Sequence, residues 1–325
     1  MMKIDKCLQT LCLLCSLLLM PLSAQTVFPA KPVRLIVPFA PGGVADTSAR
    51  LIAEQLSRRL GQPFLVDNKA GASGNIGTQA VALAEPDGYT LLLAFDGTMV
   101  INPHVFEKVP FDTVNDFAPV GKIGDAVLVL VAHPGVNAKN LKELIALSKS
   151  QTGGMFYGTS GSGGTAHVAG ELFKQKTGAN LSHMAYKGGG QALVDVLGGN
   201  IPLGFVAVAG AAQHIKSGRV NALAITGMQR ISSLPQVPTF IESGVPEVDI
   251  NSWVGLMAPV KTPRAVLERL NTELNAVLAD AEVKEKLKTF GIYATPGSTQ
   301  KFGDEIKKDL ARYAHVVKTA GIKPD

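Results

Sequence analysis

The sequence predicts an α/β protein built from two lobes. Two sets of alternating strand and helix patterns follow one another along the chain, and each set is typical of a mostly parallel sheet flanked by helices. At least three glycine-rich turns lie between a strand pattern and a helix pattern. The chain has 325 residues, and this length favours two cores because a single core stops growing at roughly 250–300 residues.

The first 24 residues are predicted to be an export signal. Lys3 and Lys6 give a basic start, and the apolar segment 11–22 is too short to span a membrane. A small residue, Ala24, predicts cleavage before Gln25, and an uncleaved N-terminal anchor is the alternative. We therefore expect an exported chain that starts near Gln25.

Composition argues against several kinds of site in the exported chain. Cys7, Cys12 and Cys15 all lie in the export signal, so neither a disulfide nor a thiol site is expected after cleavage. The six histidines are far apart and lack a metal-binding spacing, so no metal and no cofactor are predicted. The net charge is +5, but the basic residues are scattered and aromatic residues do not interleave with them, which argues against nucleic acid as a partner.

The first set of patterns predicts lobe 1 over residues 25–125. Asp46 or Thr47 is expected to cap its first helix, and Gly61 to end that helix. The predicted elements are strands at 33–39, 64–68 and 90–95 and helices at 47–60 and 75–84.

The second set predicts lobe 2 over residues 126–252. Its predicted elements are strands at 127–132, 155–158, 181–186, 201–207 and 220–226 and helices at 141–148, 166–177 and 191–197.

The chain is then expected to return to lobe 1 over residues 253–325, with a helix at 262–279 that is capped by Thr262 and has one apolar stripe. The apolar segments 127–134 and 253–259 are interpreted as the two crossings between the lobes. Two lobes joined by two crossings enclose a cleft, and turns at the carboxyl ends of parallel strands face such a cleft.

The three glycine-rich turns predict an anion-binding cleft. They are PGGVAD at 41–46, TSGSGGT at 159–165 and KGGG at 187–190. A strand that leads through a flexible turn into a helix directs free backbone N–H groups and the positive end of the helix dipole at one place. The repetition of this arrangement makes it informative.

Charged side chains at these turns allow two interpretations each. Asp46 is suited to hold a ligand ammonium group or a bridging water, and as a helix cap it needs no ligand. His167 is placed to donate to a bound anion or to pack against its turn. Lys187, beside Tyr186, is suited to pair with a second ligand carboxylate or to remain a solvated loop lysine.

Hydroxyl groups are the other candidate ligand donors. Thr159, Ser160, Ser162 and Thr165 are suited to donate to a carboxylate or to cap the following helix, and both roles can hold at once. The tripeptide Asp96-Gly97-Thr98 presents Thr98 to the same cleft or forms an ordinary turn.

Sequence motifs of two common enzyme classes are missing. The second turn lacks the Gly-Lys-Ser/Thr ending of a nucleotide-cleaving P-loop, and Gly161-Ser162-Gly163 lacks the spacing of a nucleophile elbow. No set of acid, base and nucleophile is apparent in the sequence.

At these residues the chain resembles the substrate-binding proteins of tripartite tricarboxylate transporters, also called Bug proteins. The matching stretches run through almost the whole exported chain in order. They are VPFAPGG at 37–43 with Asp46 and Ala49-Arg50, NKAGASGNIG at 68–77, PDGYT at 86–90, INP at 101–103, YGTSG at 157–161 with His167, YKG at 186–188, LPQVPT at 234–239, ESG at 242–244 and WVGL at 253–256.

The resemblance implies a periplasmic receptor of the two-lobed periplasmic-binding-protein fold (type II), which closes on a small organic acid and passes it to a membrane permease. Main-chain N–H groups and waters at the turns 41–46 and 159–165 are implied to hold a ligand carboxylate, while cleft side chains select the rest of the ligand. The residues expected to line the site are Phe39, Pro41, Gly42, Gly43, Val44, Asp46, Thr98, Thr159, Ser160, Gly161, Ser162, Thr165, His167, Tyr186, Lys187 and Val206.

The strand after Gly198-Gly199 departs from many relatives, which have acidic residues in it. This chain has Pro202 and Val206 there, and a Val206 that faces the cleft makes an amino-acid ligand less suitable than a plain dicarboxylate or an aromatic acid. A monomer that delivers such an acid to its permease is the first interpretation. The alternatives are a ligand sensor that feeds a sensor kinase, and an exported enzyme with Asp46 or His167 as its proton-transfer group.

Overall fold

The structure is a computed structural model that describes residues 28–42, 44–186, 188–250 and 252–322. The predicted export signal lies outside these residues, as do the predicted site residues Gly43 and Lys187. None of the described helices has both the length and the apolar character that a membrane span requires.

Strands and helices alternate along most of the described chain. The strands are β1 (Val33–Val37), β2 (Phe64–Asn68), β3 (Thr90–Phe95), β4 (Phe117–Ala126), β5 (Leu128–Ala132), β6 (Met155–Thr159), β7 (Leu181–Ala185), β8 (Leu203–Ala207), β9 (Asn221–Ile225), β10 (Ser252–Pro259) and β11 (Ile292–Ala294). The helices are α1 (Val44–Leu60), α2 (Asn75–Ala82), α3 (Asn102–Val105), α4 (Leu141–Ser150), α5 (Thr165–Thr177), α6 (Gly189–Leu197), α7 (Val208–Lys216), α8 (Arg264–Ala279), α9 (Ala281–Thr289) and α10 (Thr299–Ala320).

The strands form two sheets, as the predicted two-lobed α/β fold requires. The first sheet has the strand order β11-β4-β10-β3-β1-β2, and the second has the order β7-β6-β8-β5-β9. Most predicted strands and helices are present, with ends that differ by one to a few residues. The strands β4 and β11 and the helices α3, α7, α9 and α10 have no counterpart among the predicted elements.

Both sheets are mixed, whereas the sequence predicts mostly parallel sheets. In the first sheet β1 is parallel to β2 and β3, but β10 is antiparallel to β3 and β4. In the second sheet β6 is parallel to β7 and β8, but β5 is antiparallel to β8 and β9. The chain leaves the first sheet along β4 and returns along β10, so these two neighbouring strands run in opposite directions.

The first crossing between the sheets occurs at a single residue. Val127 separates β4 from β5, so the segment 127–134 is mainly the first strand of the second sheet rather than the crossing itself. Strand β4 contains Pro119, Gly121 and Gly124, which are residues that disfavour strands, and the sequence therefore gives little indication of it. The second crossing lies between β9 and β10, and the lobe boundaries 25–125, 126–252 and 253–325 stay a prediction.

Helix α8 begins two residues later than expected. Pro263 precedes its first residue, and the buried Thr262 hydroxyl has no hydrogen-bond partner among the described residues, so Thr262 does not cap the helix. The predicted apolar stripe is present, because Leu270, Leu274 and Val277 are buried against the first sheet.

One apolar core runs from the first sheet into the second. Leu92 of β3 and Phe205 of β8 belong to the same cluster of buried side chains, together with Phe302 and Tyr313 of α10. Buried residues 99–101 and Val105, which follow β3, belong to this core as well. The carboxyl end of β3 is therefore held next to the second sheet.

We expect Phe173→Ala to lower the free energy of unfolding by about 3–5 kcal/mol, because Phe173 is buried against the Phe240 ring and its removal leaves a cavity. Phe156→Ala is the matched control, since Phe156 is 47% exposed. This variant is expected to lower the free energy of unfolding by no more than about 1 kcal/mol. Urea unfolding followed by the fluorescence of Trp253 measures both. Equal losses in the two variants would contradict the core assignment.

Candidate ligand-binding site

The first turn connects β1 to α1 and is exposed at its tip. Pro41 and Gly42 are exposed, and Gly42 has φ of +87°, which favours glycine. The Gly42 N–H donates to Asp46 Oδ2 at 3.0 Å. The turn is thus closed by a carboxylate from the helix that follows it.

Asp46 organises this turn from a buried position. Its carboxylate also accepts from Arg50 Nε at 3.0 Å and from Asn68 Nδ2 at 3.0 Å. The hydrogen bond from Arg50 is the main cause that lowers the Asp46 pKa to about 2, with smaller contributions from Gly42 and Asn68, while burial acts in the opposite direction. Asp46 is therefore ionised at neutral pH.

The expected capping role of Asp46 takes a different form. Helix α1 begins at Val44, so Asp46 lies within its first turn, and its side chain reaches back to Gly42 rather than preceding the helix. Because Asp46 is 4% exposed and already paired with Arg50, its contacts in the described residues are internal. The partners Arg50 and Asn68 were not among the predicted site residues.

A second loop of the first sheet lies beside this turn. Thr98 Oγ1 and Asn102 Nδ2 both donate to the Ser73 carbonyl, each at 3.0 Å. A Cβ atom on Gly74 would lie 2.5 Å from Thr98 Oγ1 and 3.4 Å from the Phe39 ring, so glycine is required at this close approach. Thr98 is 2% exposed and binds the loop at Ser73 in this conformation, while Phe39 is partly exposed.

The turn after β6 is held by hydrogen bonds from within. Thr159 Oγ1 donates to the Gly161 carbonyl at 2.9 Å and is 2.7 Å from His183 Nε2. The backbone at Gly161 and Gly163 has φ of +134° and +75°, which accounts for glycine at both positions. Ser160 is exposed at the tip of this turn.

His167 packs against the same turn. Its Nδ1 accepts from the Gly163 N–H at 3.0 Å, and its ring stacks on the His183 ring with centroids 3.7 Å apart. An Nδ1 that accepts a hydrogen bond is unprotonated, so a neutral His167 places its proton on Nε2, which lies 3.9 Å from Glu171 Oε1. Of the two interpretations of His167, the described contacts match packing against the turn.

The third turn lies next to the second because β6 and β7 are parallel neighbours. The Tyr186 N–H donates to the Thr159 carbonyl at 3.1 Å, and a Cβ atom on Gly189 would lie 3.8 Å from Ser160 Cβ. The Tyr186 hydroxyl donates to Asp195 Oδ2 at 2.7 Å, and burial together with this hydrogen bond raises the pKa of Tyr186 to about 12. Tyr186 is thus neutral at physiological pH.

A buried aspartate connects the two sheets at these turns. Thr165 Oγ1, in the first turn of α5, donates to Asp96 Oδ2 at 2.6 Å, and Ser252 Oγ of β10 donates to Asp96 Oδ1 at 2.6 Å. A Cβ atom on Gly163 would lie 3.0 Å from Val105 Cγ1 of α3. The turn after β6 therefore lies against the end of β3.

The importance of Asp96 is missed at the sequence level. The sequence prediction uses the tripeptide Asp96-Gly97-Thr98 for Thr98 alone, although an acidic residue directly after an apolar strand pattern is a signal for a buried carboxyl group. Ser252, about 150 residues further along the chain, has no sequence feature that relates it to Asp96.

Val206 does not reach the surface in this structure. It is 3% exposed, pairs with Val129 of β5 in the second sheet, and packs in a cluster with Val131 and Leu193. The argument for ligand preference that depends on a cleft-facing Val206 therefore finds no support in these contacts. The described residues also contain no group of three or more His, Cys, Asp or Glu side chains arranged to hold a metal ion.

We expect Asp46→Ala to lower the free energy of unfolding by about 2 kcal/mol at pH 7, because it removes hydrogen bonds to a buried charge. The Asp46 pKa is lower in the folded chain than its ordinary value of 3.8, so this stabilisation is complete above pH 4 and is lost as the pH falls towards about 2. Urea unfolding at pH 7, 4 and 2.5 measures the difference in the free energy of unfolding between the variant and the parent, and this difference is expected to become smaller as the pH falls.

Asp67→Ala is the control, because Asp67 forms an exposed ion pair with Arg34 at 2.6 Å. The free energy of unfolding of this variant is expected to stay within about 1 kcal/mol of the parent value. A difference between Asp46→Ala and the parent that stays constant down to pH 2.5 would contradict the assigned role of the Asp46 carboxylate.

Comparison with known proteins gives a family for this chain. A family model described as "Tripartite tricarboxylate transporter family receptor" matches residues 48–322. Protein BugT of Bordetella pertussis is 38% identical over 307 residues, which covers 93% of this chain and 93% of that protein.

Solved structures show the same fold. Periplasmic binding protein BugD is 33% identical with a TM-score of 0.79, over 92% of this chain and 100% of that chain. An R. palustris protein solved with adipate is 34% identical with a TM-score of 0.83, over 92% of this chain and 100% of that chain. MatC from Rhodopseudomonas palustris, solved with bound malate, is 28% identical with a TM-score of 0.79, over 89% of this chain and 100% of that chain. The chain therefore belongs to the tripartite tricarboxylate transporter receptor family, the periplasmic substrate-binding proteins of the Bug type.

Proposed function

We propose that this protein captures a small organic acid in a cleft between its two sheets and delivers it to the permease of a tripartite tricarboxylate transporter. The observation that supports this most is the contact between Thr165 and Asp96, which brings the glycine-rich turn of the second sheet against the end of β3 in the first. We propose that the turns preceding α1 and α5 hold the two ends of one ligand. Helix N-termini of this kind favour negatively charged groups.

The proposed site has an outer set of contact residues and an inner set of positioning residues. The outer set is exposed or partly exposed and consists of Phe39, Pro41, Gly42, Val44, Ser160, Gly161, Ser162 and Tyr186. The inner set is buried and consists of Asp46, Thr98, Thr159, Thr165 and His167. The inner side chains form hydrogen bonds within the turns, so we propose that they shape the backbone that meets the ligand. Gly43 and Lys187 remain proposed contacts that lie outside the described residues.

A dicarboxylate of about four to six carbons is the proposed ligand class. Relatives solved with adipate and with malate are of comparable length to this chain, and both acids have a carboxylate at each end. The Phe39 ring packs edge-to-face on Phe95 with centroids 5.4 Å apart, beside the first turn, and this supports an apolar middle portion in the ligand. We propose binding without turnover, so the acid leaves the protein chemically unchanged.

Thermal-shift screening of the refolded chain from Gln25 tests the proposal. The panel contains adipate, malate, benzoate and glutamate, and one dicarboxylate at a hundredfold excess over its dissociation constant is expected to stabilise the fold by about 2.7 kcal/mol. Chromatography of the same samples checks that the acid is recovered unchanged. A folded protein that no carboxylate stabilises would contradict the proposal, and conversion of a bound acid above background would show an enzyme instead.

A carboxylate placed at the tip of the second turn is expected to repel the ligand. Ser160→Asp is predicted to weaken binding of the dicarboxylate about tenfold, because it sets a like charge against the incoming anion at the exposed tip of the turn. Ser232→Asp, at an exposed serine in another loop, is the matched control for net charge. Isothermal titration calorimetry measures both variants, and equal affinities in Ser160→Asp and Ser232→Asp would remove this turn from the proposed site.

A further inference from the structure

The junction between the two sheets contains a carboxyl group with an unusual environment. Asp96 directly follows β3 and is 1% exposed, and each of its two oxygens accepts a hydrogen bond from a hydroxyl group at 2.6 Å. The two donors come from different parts of the chain, Thr165 from the turn of the second sheet and Ser252 from β10 of the first. One carboxyl group thus connects β3, β10 and the N-terminus of α5.

The strongest interactions of Asp96 bring no positive charge to it. Hydroxyl groups and the Gly97 N–H are neutral donors, and the charged group that adds to the raised pKa of Asp96 is another carboxyl group, that of Asp309. Burial is the largest effect and raises the pKa of Asp96 to about 7, against the opposing hydrogen bonds. Asp96 is therefore partly protonated at neutral pH.

Other ionisable groups surround this junction on two helices. From α10, Asp309 accepts a hydrogen bond from Trp253 Nε1 at 2.9 Å, the buried Tyr313 interacts electrostatically with Asp96, and Arg312 donates to the carbonyls of residues 247 and 249. On α5, His167 lies two residues beyond Thr165 and binds the Gly163 N–H. Any test must therefore distinguish the titration of Asp96 from that of these groups, above all from that of Asp309 and His167.

We infer that Asp96 is a positioning residue of the cleft, which clamps the turn of the second sheet to the first and takes up a proton when an organic anion binds at that turn. This inference rests on the proposed function. An anion bound at the N-terminus of α5 and an ionised Asp96 place negative charges on opposite sides of Thr165. The two charges repel one another in a region of low dielectric. Binding of one charge therefore favours neutralisation of the other.

The clamp can remain closed after protonation. A carboxylic acid keeps acceptor capacity and gains an O–H donor, so one of the hydroxyls of Thr165 and Ser252 continues to donate while the other accepts. The geometry of the turn is then kept while its charge changes. The protein thus has a way to adjust the affinity for an anion without a change in fold.

The direction of the pH effect follows from linkage. Below pH 7 Asp96 is mostly protonated, and the anion binds without repulsion. Above pH 7 Asp96 is mostly ionised, so the affinity for the anion is reduced by the free energy needed to protonate Asp96. The dissociation constant is expected to rise by up to about tenfold between pH 6 and pH 8, since each unit above the pKa of the free protein weakens binding by at most a factor of ten.

Calorimetric titration with adipate and with malate tests the inference. Titrations at pH 7 in PIPES and in imidazole, which have different ionisation enthalpies, count protons, and up to about half a proton per bound acid is expected because Asp96 is half protonated beforehand. Asp96→Asn is expected to remove both this uptake and the change in affinity between pH 6 and pH 8. Asp309→Asn is the control, because Asp309 is another buried carboxyl group whose pKa is raised by burial. It is expected to keep the proton uptake, with the titration of Asp96 moved to a lower pH because the charge of Asp309 contributes to the raised pKa of Asp96.

A second measurement does not depend on the stability of the variants. The carboxyl carbon of Asp96 in the ¹³C-aspartate-labelled parent chain is expected to titrate near pH 7 without ligand and at a higher pH with adipate or malate bound. Thr165→Val preserves the shape of the side chain but removes its hydroxyl donor, and it is expected to weaken binding at both pH 6 and pH 8.

Outcomes of these measurements separate the two proposals. Three results would each overturn the inference and leave the proposed function intact. The first is binding of an acid with no proton uptake, and the second is an Asp96 carboxyl group that titrates below pH 5. The third is a pH effect on affinity that persists in Asp96→Asn and so belongs to His167 or His183. If neither adipate nor malate binds and no carboxylate stabilises the protein in the thermal-shift screen, both the proposed function and the inference are contradicted.

Discussion

The apolar core shared by the two sheets is the constraint on which the rest of the structure depends. Side chains of β3, of the segment 97–105 and of α10 pack in one cluster with those of β5, β6 and β8. Hydrophobic burial over such an area is non-directional, but it brings the carboxyl end of β3 against the N-terminus of α5. The polar contacts at the turns are possible only because this core has set the distance between them.

Polar side chains then determine the shape of each turn in a different way. The turn after β1 is closed by a carboxylate, Asp46, that is paired with Arg50, so a fixed negative charge and its counter-charge lie beneath the exposed backbone. The turn after β6 is closed by neutral groups, Thr159 and His167. The two sides of the proposed cleft therefore differ in electrostatic character although both are glycine-rich turns that lead into a helix.

Buried side chains form hydrogen bonds to the backbone inside both turns. Asp46, Thr159 and His167 bind the backbone of their own turns, whereas Gly42 and Ser160 at the tips are exposed. The junction at Asp96 differs from both turns, because its carboxyl group accepts hydrogen bonds from Thr165 at the N-terminus of α5 and from Ser252 of β10. Asp96 thus connects the two sheets through hydrogen bonds.

The sequence by itself determined the α/β class, the two sets of strands and helices and the three glycine-rich turns, because hydrophobic periodicity and glycine are local signals. It did not reveal β4, whose proline and glycines resemble a loop, or the mixed strand directions, which depend on where the chain crosses between sheets. Only the tertiary structure decided that Asp46 and His167 bind their own turns, that Val206 is buried, and that Asp96 meets Thr165 and Ser252. Those outcomes depend on contacts between residues as much as 156 positions apart, and the free energy of such contacts is set by packing and burial that no local pattern contains.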